Sequence, residues 1–355
     1  MSYESERFAH RALVAVMIAL LLILIALLLW TSSQVLLLLF AGILFAILLD
    51  AVSGWIAGVT GFSHGWSLAV ALLILLVLAT LGIWYLAPSV GQQLFELART
   101  LPASIQQLRQ VLGEYAWGRW ILEQMPAANE MMPDGGAILS RISGVFSSTF
   151  GAIVDFALII FVGVYGAAQP RLYIDGVIRL VPLAHRRRAC EVVNAVGHTL
   201  RWWLIGRVAS MIVVGVLTAL GLWLLGVPLA LAFGLLAALL DFIPNIGPII
   251  AAVPAILLAL THGPDQALYV TLLYVGIQNA EGFFLTPMIQ QRTVSLPPVL
   301  TLIGQVILGV LAGGLGLALA SPLVAVVLVL VKMLYVHDLL GDNVQVDGEN
   351  AGAGA

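Results

Sequence analysis

Between Leu229 and Leu260 the chain is apolar enough for lipid, yet its middle is broken by Asp241 and the run Phe242-Ile243-Pro244-Asn245-Ile246-Gly247-Pro248. No other stretch restricts the fold as much. Each proline removes a backbone donor and clashes with the preceding turn, so two of them around Asn-Gly break any helix. The apolar halves, Leu229 to Leu240 and Ile249 to Leu260, are each shorter than the ~20 residues a crossing helix needs. They are read as a re-entrant hairpin, two short arms joined by the break. Inside a bilayer, its freed backbone groups and its carboxylate are tolerated only where protein or a water-filled cavity surrounds them.

The rest of the chain agrees with a lipid environment. Of its 355 residues, 61% are hydrophobic and 9% charged, against about 25% charged in a typical soluble domain. The expected fold is therefore an all-α integral membrane protein. A formal net charge of -3 gives no basis for nucleic-acid binding. Cys190 is the only cysteine, so neither an internal disulfide nor a cysteine-based metal site is available. The sequence contains no G-x-x-x-x-G-K-[ST] loop, no H-E-x-x-H and no G-x-S-x-G elbow, and its six histidines are scattered. No enzymatic activity and no cofactor are expected.

Residues 1–88 hold three expected spans: Ala12 to Leu29, Val35 to Leu49, and Trp66 to Leu86. Arg7 and Arg11 flank the first as they would a signal peptide, but no small-residue cleavage site follows Trp30, so it is read as a retained span. The second is expected to close at Asp50, with a Gly-rich turn after it. Residues 89–143 mix charge with an apolar stripe (Leu94, Leu97, Leu101, Ile105, Leu108) and read as an extramembranous helical segment. Residues 144–168 form a fourth span carrying Asp155. The segment 169–207 contains seven of the fifteen Lys and Arg residues, which marks it as cytoplasmic. Residues 208–336 form the core around the hairpin at 229–260, and 337–355 an acidic, Gly-rich tail expected to be disordered. The count is about eight transmembrane helices plus the re-entrant broken-helix hairpin, with both termini cytoplasmic. Crossings at Val299 to Leu317 and Leu323 to Val336 complete it, although Gly313-Gly314-Leu315-Gly316 and Ser321-Pro322 leave a second hairpin open there.

Asp241 and Glu281 are the acidic candidates for an ion or solute pathway. A carboxylate at membrane depth costs at least ~2.5 kcal/mol, so it faces a cavity, a partner or a coupling ion. Asp241 as a cap of the following half-helix is the structural alternative. Pro244, Asn245, Gly247 and Pro248 form the second group, because broken helices present half-helix ends and free carbonyls to substrates and ions. Gln278, Asn279 and Glu281 fall within one helical turn, with Gln278 and Glu281 on one face. Their alternative role is an interhelical hydrogen-bond clamp. Asp50 and Asp155 are read as structural, and Arg186-Arg187-Arg188 as a determinant of topology beside anionic lipid.

In order along the chain, Gly221-Leu222-Trp223-Leu224-Leu225-Gly226-Val227-Pro228, then F-I-P-N-I-G-P at 242–248, then Gln278-Asn279-x-Glu281-Gly282 with Pro287 and Pro297-Pro298 resemble the AI-2E family of bacterial transporters. The resemblance implies a multi-pass protein of the bacterial cytoplasmic (inner) membrane without ATPase machinery. It also implies a homo-oligomer, a pentamer in relatives, and it fits Asn245 and Glu281 well. The expected function is movement of a small solute, such as autoinducer-2 or a related metabolite, outward across the membrane. Two alternatives stand beside it: Na⁺(K⁺)/H⁺ antiport with Glu281 or Asp241 titrating, and a membrane scaffold that transports nothing. The expected partners are membrane lipid, the solute or ion, and further copies of the chain.

Overall fold

The computed structural model describes residues 32–82, 135–285 and 297–342 together with Met17 and Trp84, with backbone alone at 135–150, 152 and 285. The first expected span, most of the 89–143 segment, Pro287 and the tail beyond Asp342 lie outside the described residues. Those described are helical, with no strand among them. The helices are α1 (Ser33–Thr60), α2 (His64–Gly82), α3 (Gly135–Ala168), α4 (Pro170–Arg179), α5 (Arg186–Leu224), α6 (Ala230–Asp241), α7 (Ile246–His262), α8 (Pro264–Ala280) and α9 (Pro298–Leu330). Four described stretches are long and apolar enough to cross a membrane, or five if the bent pair α3–α4 is one span. This is an all-α membrane fold.

The second expected span runs further than Asp50. Helix α1 continues through Gly54 and Gly58 and stops only at Gly61, whose φ of 72° provides the left-handed ending. Asp50 need not end the helix because its carboxylate is paired with Arg201 of α5 at 3.3 Å. Helices α1 and α3 run parallel: Gly42 packs on Val162, Phe45 on Gly163 and Ala46 on Gly166, and Gln34 Nε2 donates to Asp155 Oδ2. A count of crossings requires the same direction of a second and a fourth span. At Gln169 the chain bends by 89° into α4. Pro170 at the first helical position has no amide hydrogen with which to continue α3.

From sequence, 169–207 is one segment and 208 begins another. In the structure one helix of 39 residues, α5, runs through that point without a break. At a rise of about 1.5 Å per residue it is roughly 58 Å long, well over the ~30 Å hydrocarbon core. Helix α6 returns along it through a close approach at Gly215 and Gly234, where Ala219 and Ala238 fill the space side chains would take. The core of this half is built from small residues on α7 (Ala251, Ala255, Ala259) against Phe233, Val270 and Tyr274.

The expected re-entrant hairpin has the arms α6 and α7. Reversal is tight, because Gly247 lies directly against the Leu240 carbonyl. Helix α9 also folds back on itself. Gly304 meets Val324, Gly309 meets Leu317 and Gly316 abuts the Leu308 carbonyl, whereas residues eight apart in a straight helix are separated by about 12 Å. Ala312 and Gly313 leave helical geometry to make this reversal, Gly313 at φ 61° and ψ −139°. The turn expected between Leu317 and Leu323 thus falls earlier. Glycine can adopt that backbone geometry, while Ser321-Pro322 stays buried within the second arm.

The two hairpins open toward opposite ends of α5. At its end, Gln266 Nε2 at the start of α8 donates to the Leu225 carbonyl. Near its start, Arg188 Nε donates to Asp338 Oδ2 at 3.0 Å, just past the final π-turn Val331–His337. The hydrogen bonds from Arg188 and then from His337 hold the Asp338 carboxyl below the ordinary carboxylate range. A depressed value means that the contact stabilises the fold fully above the ordinary range and fades as pH falls through the lowered value. Asp338→Asn is expected to lower the thermal midpoint in detergent at neutral pH, with the gap to the parent closing on acidification. A gap independent of pH would contradict the ion pair.

Candidate ion and solute site

Asp241 is the last residue of α6 and Glu281 the first residue of a π-turn, Glu281–Leu285, that follows α8. Antiparallel packing brings both against the middle of α5, where they meet Arg207 and Ser210. The guanidinium reaches both carboxylates, Nη2 at 3.1 Å from Asp241 Oδ1 and Nη1 at 3.2 Å from Glu281 Oε1. The Ser210 hydroxyl lies between the two acids, 3.0 Å from Asp241 Oδ2 and 2.7 Å from Glu281 Oε1. Gln278 Nε2 donates to Glu281 Oε2 at 2.9 Å. Exposure is 0% for Asp241 and Ser210, 7% for Glu281 and 9% for Arg207.

The contact between Arg207 Nη2 and Asp241 Oδ1 is close but not aligned for a hydrogen bond, and neither atom finds a hydrogen-bond partner among the described residues. It acts through Coulombic attraction, which is strong where water is excluded. Among the described residues, one guanidinium and two carboxyl groups share the cluster. Its one hydroxyl, Ser210, is held between the two acids, and among the described residues no three His, Cys, Asp or Glu side chains could hold a metal. Two carboxyl groups sharing one guanidinium and one hydroxyl can exchange a proton or take up a small cation or polar group.

The break lies beside this cluster. Asn245 has φ 66° and ψ −49°, and the Ile246 amide donates to the Pro244 carbonyl at 2.8 Å, which together define a classic γ-turn. That conformation is rare and strained, and Asn is among the residues that best tolerate positive φ. The Asn245 side chain is exposed, so its role in the fold is through the backbone. The Pro244 carbonyl also accepts from Gln305 Nε2 of α9 at 2.8 Å, which ties the tip of one hairpin to the first arm of the other. Gly247 and Pro248 are buried and shape the reversal. Asn279 does not join the cluster: it is exposed, and its Nδ2 donates to the Val275 carbonyl of its own helix.

Sequence alone does not single out Arg207, Ser210 or Gln305. Arg207 falls at the end of the basic segment, although Trp202-Trp203-Leu204-Ile205-Gly206 separates it from Arg201. Gln305 is fully buried and its Oε1 has no partner among the described residues. Replacing it with leucine removes one hydrogen bond and one orphaned acceptor together, so Gln305→Leu is expected to shift stability by no more than about 1 kcal/mol. Thermal unfolding in detergent checks this, and a larger loss would show that the amide holds more than the hairpin tip.

An apolar helical scaffold, a discontinuous helix and a buried charge cluster beside the discontinuity are features that recur in membrane transporters. The family model described as AI-2E family transporter matches residues 17–335, and the chain belongs to that family. The "Putative transport protein YueF" of Bacillus subtilis is 24% identical over 277 residues, covering 74% of each chain. The "Putative transport protein YrrI" of the same organism is 30% identical over 208 residues, 58% of this chain and 56% of its own. The AI-2 transport protein TqsA of Escherichia coli is 27% identical over 267 residues, 72% of this chain and 75% of its own.

Proposed function

We propose that this AI-2E family protein is a non-enzymatic secondary transporter that moves a small solute outward across the bacterial cytoplasmic membrane. The observation that carries this reading is the buried group Arg207, Ser210, Asp241, Gln278 and Glu281 beside the broken hairpin. Charged side chains within membrane helices belong to solute and ion pathways more often than to scaffolding. The name of TqsA, a relative in the same family, supports autoinducer-2 or a related metabolite as the solute. The basic residues between Arg171 and Arg207 support cytoplasmic termini. Many large apolar residues are exposed, among them Trp55, Trp66 and Trp223. They suit lipid and the faces between copies in a homo-oligomer, for which family resemblance favours a pentamer.

Na⁺(K⁺)/H⁺ antiport is the second reading, favoured because the cluster has one more carboxylate than cation. Sealed proteoliposomes loaded with a bacterial metabolite extract and a pH dye separate the two. The first reading expects a solute lost from vesicles with the parent protein and retained with Glu281→Gln. The second expects proton movement on adding Na⁺ or K⁺. If neither flux appears, transport is overturned and a scaffold role stands in its place.

A further inference from the structure

Ser210 has one hydroxyl hydrogen, yet its oxygen lies within hydrogen-bond distance of a carboxyl oxygen on each side. With both acids ionised it can donate to only one, and the other contact sets two lone pairs against each other at full burial. If one acid carries a proton, the conflict disappears. The donors around each acid decide which one it is. Glu281 receives Arg207 Nη1 and Ser210 at Oε1 and Gln278 at Oε2, a set that suits a carboxylate. Asp241 has no aligned donor at Oδ1 and only the hydroxyl at Oδ2.

We propose that Asp241 holds one exchangeable proton, bonded through Oδ2 to Ser210 Oγ, whose own hydrogen is donated to Glu281 Oε1. This proton is the coupling ion of the transport reading above, on which that part of the inference rests. Transfer is a concerted relay of two hops: the Asp241 O–H bond breaks as Ser210 Oγ takes that proton, and the original Ser210 O–H bond breaks as its proton passes to Glu281 Oε1. The net result is one proton transferred from Asp241 to Glu281, with no electrons changing hands and no change in the charge of the cluster. Arg207 lies 3.1 Å from one acid and 3.2 Å from the other, so it balances whichever carboxylate is ionised. With the proton in place Arg207, Asp241 and Glu281 together carry no net charge, which lowers the cost of burying them. The described groups in contact with the pair of acids include Arg207 and Ser210 from α5 and Gln278 from α8.

Infrared spectra of the full chain, purified and reconstituted, test this through the carbonyl stretch of a buried protonated carboxylic acid at neutral pH. The parent is expected to show the band, with a shift in D₂O. Asp241→Asn and Glu281→Gln are each expected to lose it, since either change leaves one carboxylate for one guanidinium. Ser210→Ala keeps both acids and is expected to move the band. If the parent has no such band, or if it survives unchanged in Asp241→Asn or Glu281→Gln, the assignment is overturned. Fluxes separate the two layers: a band without proton-coupled flux defeats the transport reading and leaves the proton site, while flux without the band does the reverse.

Discussion

Replacing Arg207 with alanine is expected to cost about 3–5 kcal/mol of folding free energy, the range for removing one partner of a buried ion pair. The cause is what remains. Asp241 and Glu281 would face each other across Ser210 without the guanidinium that reaches both, at a site buried from water. Neutralisation by taking up a further proton would recover part of this, so the loss is expected to shrink at lower pH. Arg207→Lys should recover less than half of the loss, because a single ammonium lacks the planar fork that reaches both acids at once. Apolar or neutral replacement of all three, Arg207→Met with Asp241→Asn and Glu281→Gln, is expected to restore most of the stability while abolishing flux. Thermal unfolding in detergent across the series checks this. An Arg207→Ala protein as stable as its parent would mean that the charges are not closely paired.

The second large effect is expected at two glycines. At Gly247 and Gly316 the place a Cβ would occupy is already taken by a backbone carbonyl of the opposite arm, Leu240 in one hairpin and Leu308 in the other. A flexible side chain could swing away; a carbonyl held in its own helix cannot. Alanine at either position is expected to cost about 1–3 kcal/mol, the usual penalty for overpacking a filled site. Gly58→Ala and Gly276→Ala serve as controls. Both lie within helices with no neighbour near the added methyl, and alanine there is expected to be neutral or to stabilise by up to ~1 kcal/mol. Equal behaviour of the four variants would place the chain reversals elsewhere.

The break at 242–248 could be read from the sequence because prolines and glycines act on their own backbone and need no partner to take effect. Asp241, Gln278 and Glu281 were also legible, since charge and amide groups in an apolar run demand an explanation wherever they fall. Arg207 was not. Its meaning depends on two acids 34 and 74 positions further on, and nothing nearby separates a buried arginine from the topological ones before it. Gln305 is the same case: its partner is a carbonyl, which every residue has. The reversal in α9 was narrowed to 313–322 but not located, because glycine and proline both interrupt helices and only packing decides which one turns the chain. Helix α1 outran its expected end for a related reason, Asp50 having found Arg201 across the bundle.

The hydrogen bond from Gln305 to the Pro244 carbonyl joins two chain reversals that open toward opposite ends of α5. A bond of this kind is worth about 1 kcal/mol net, roughly a fivefold preference in population. A contact of that size biases the register of the two hairpins without locking it, and it sits three residues from Asp241, at the end of α6.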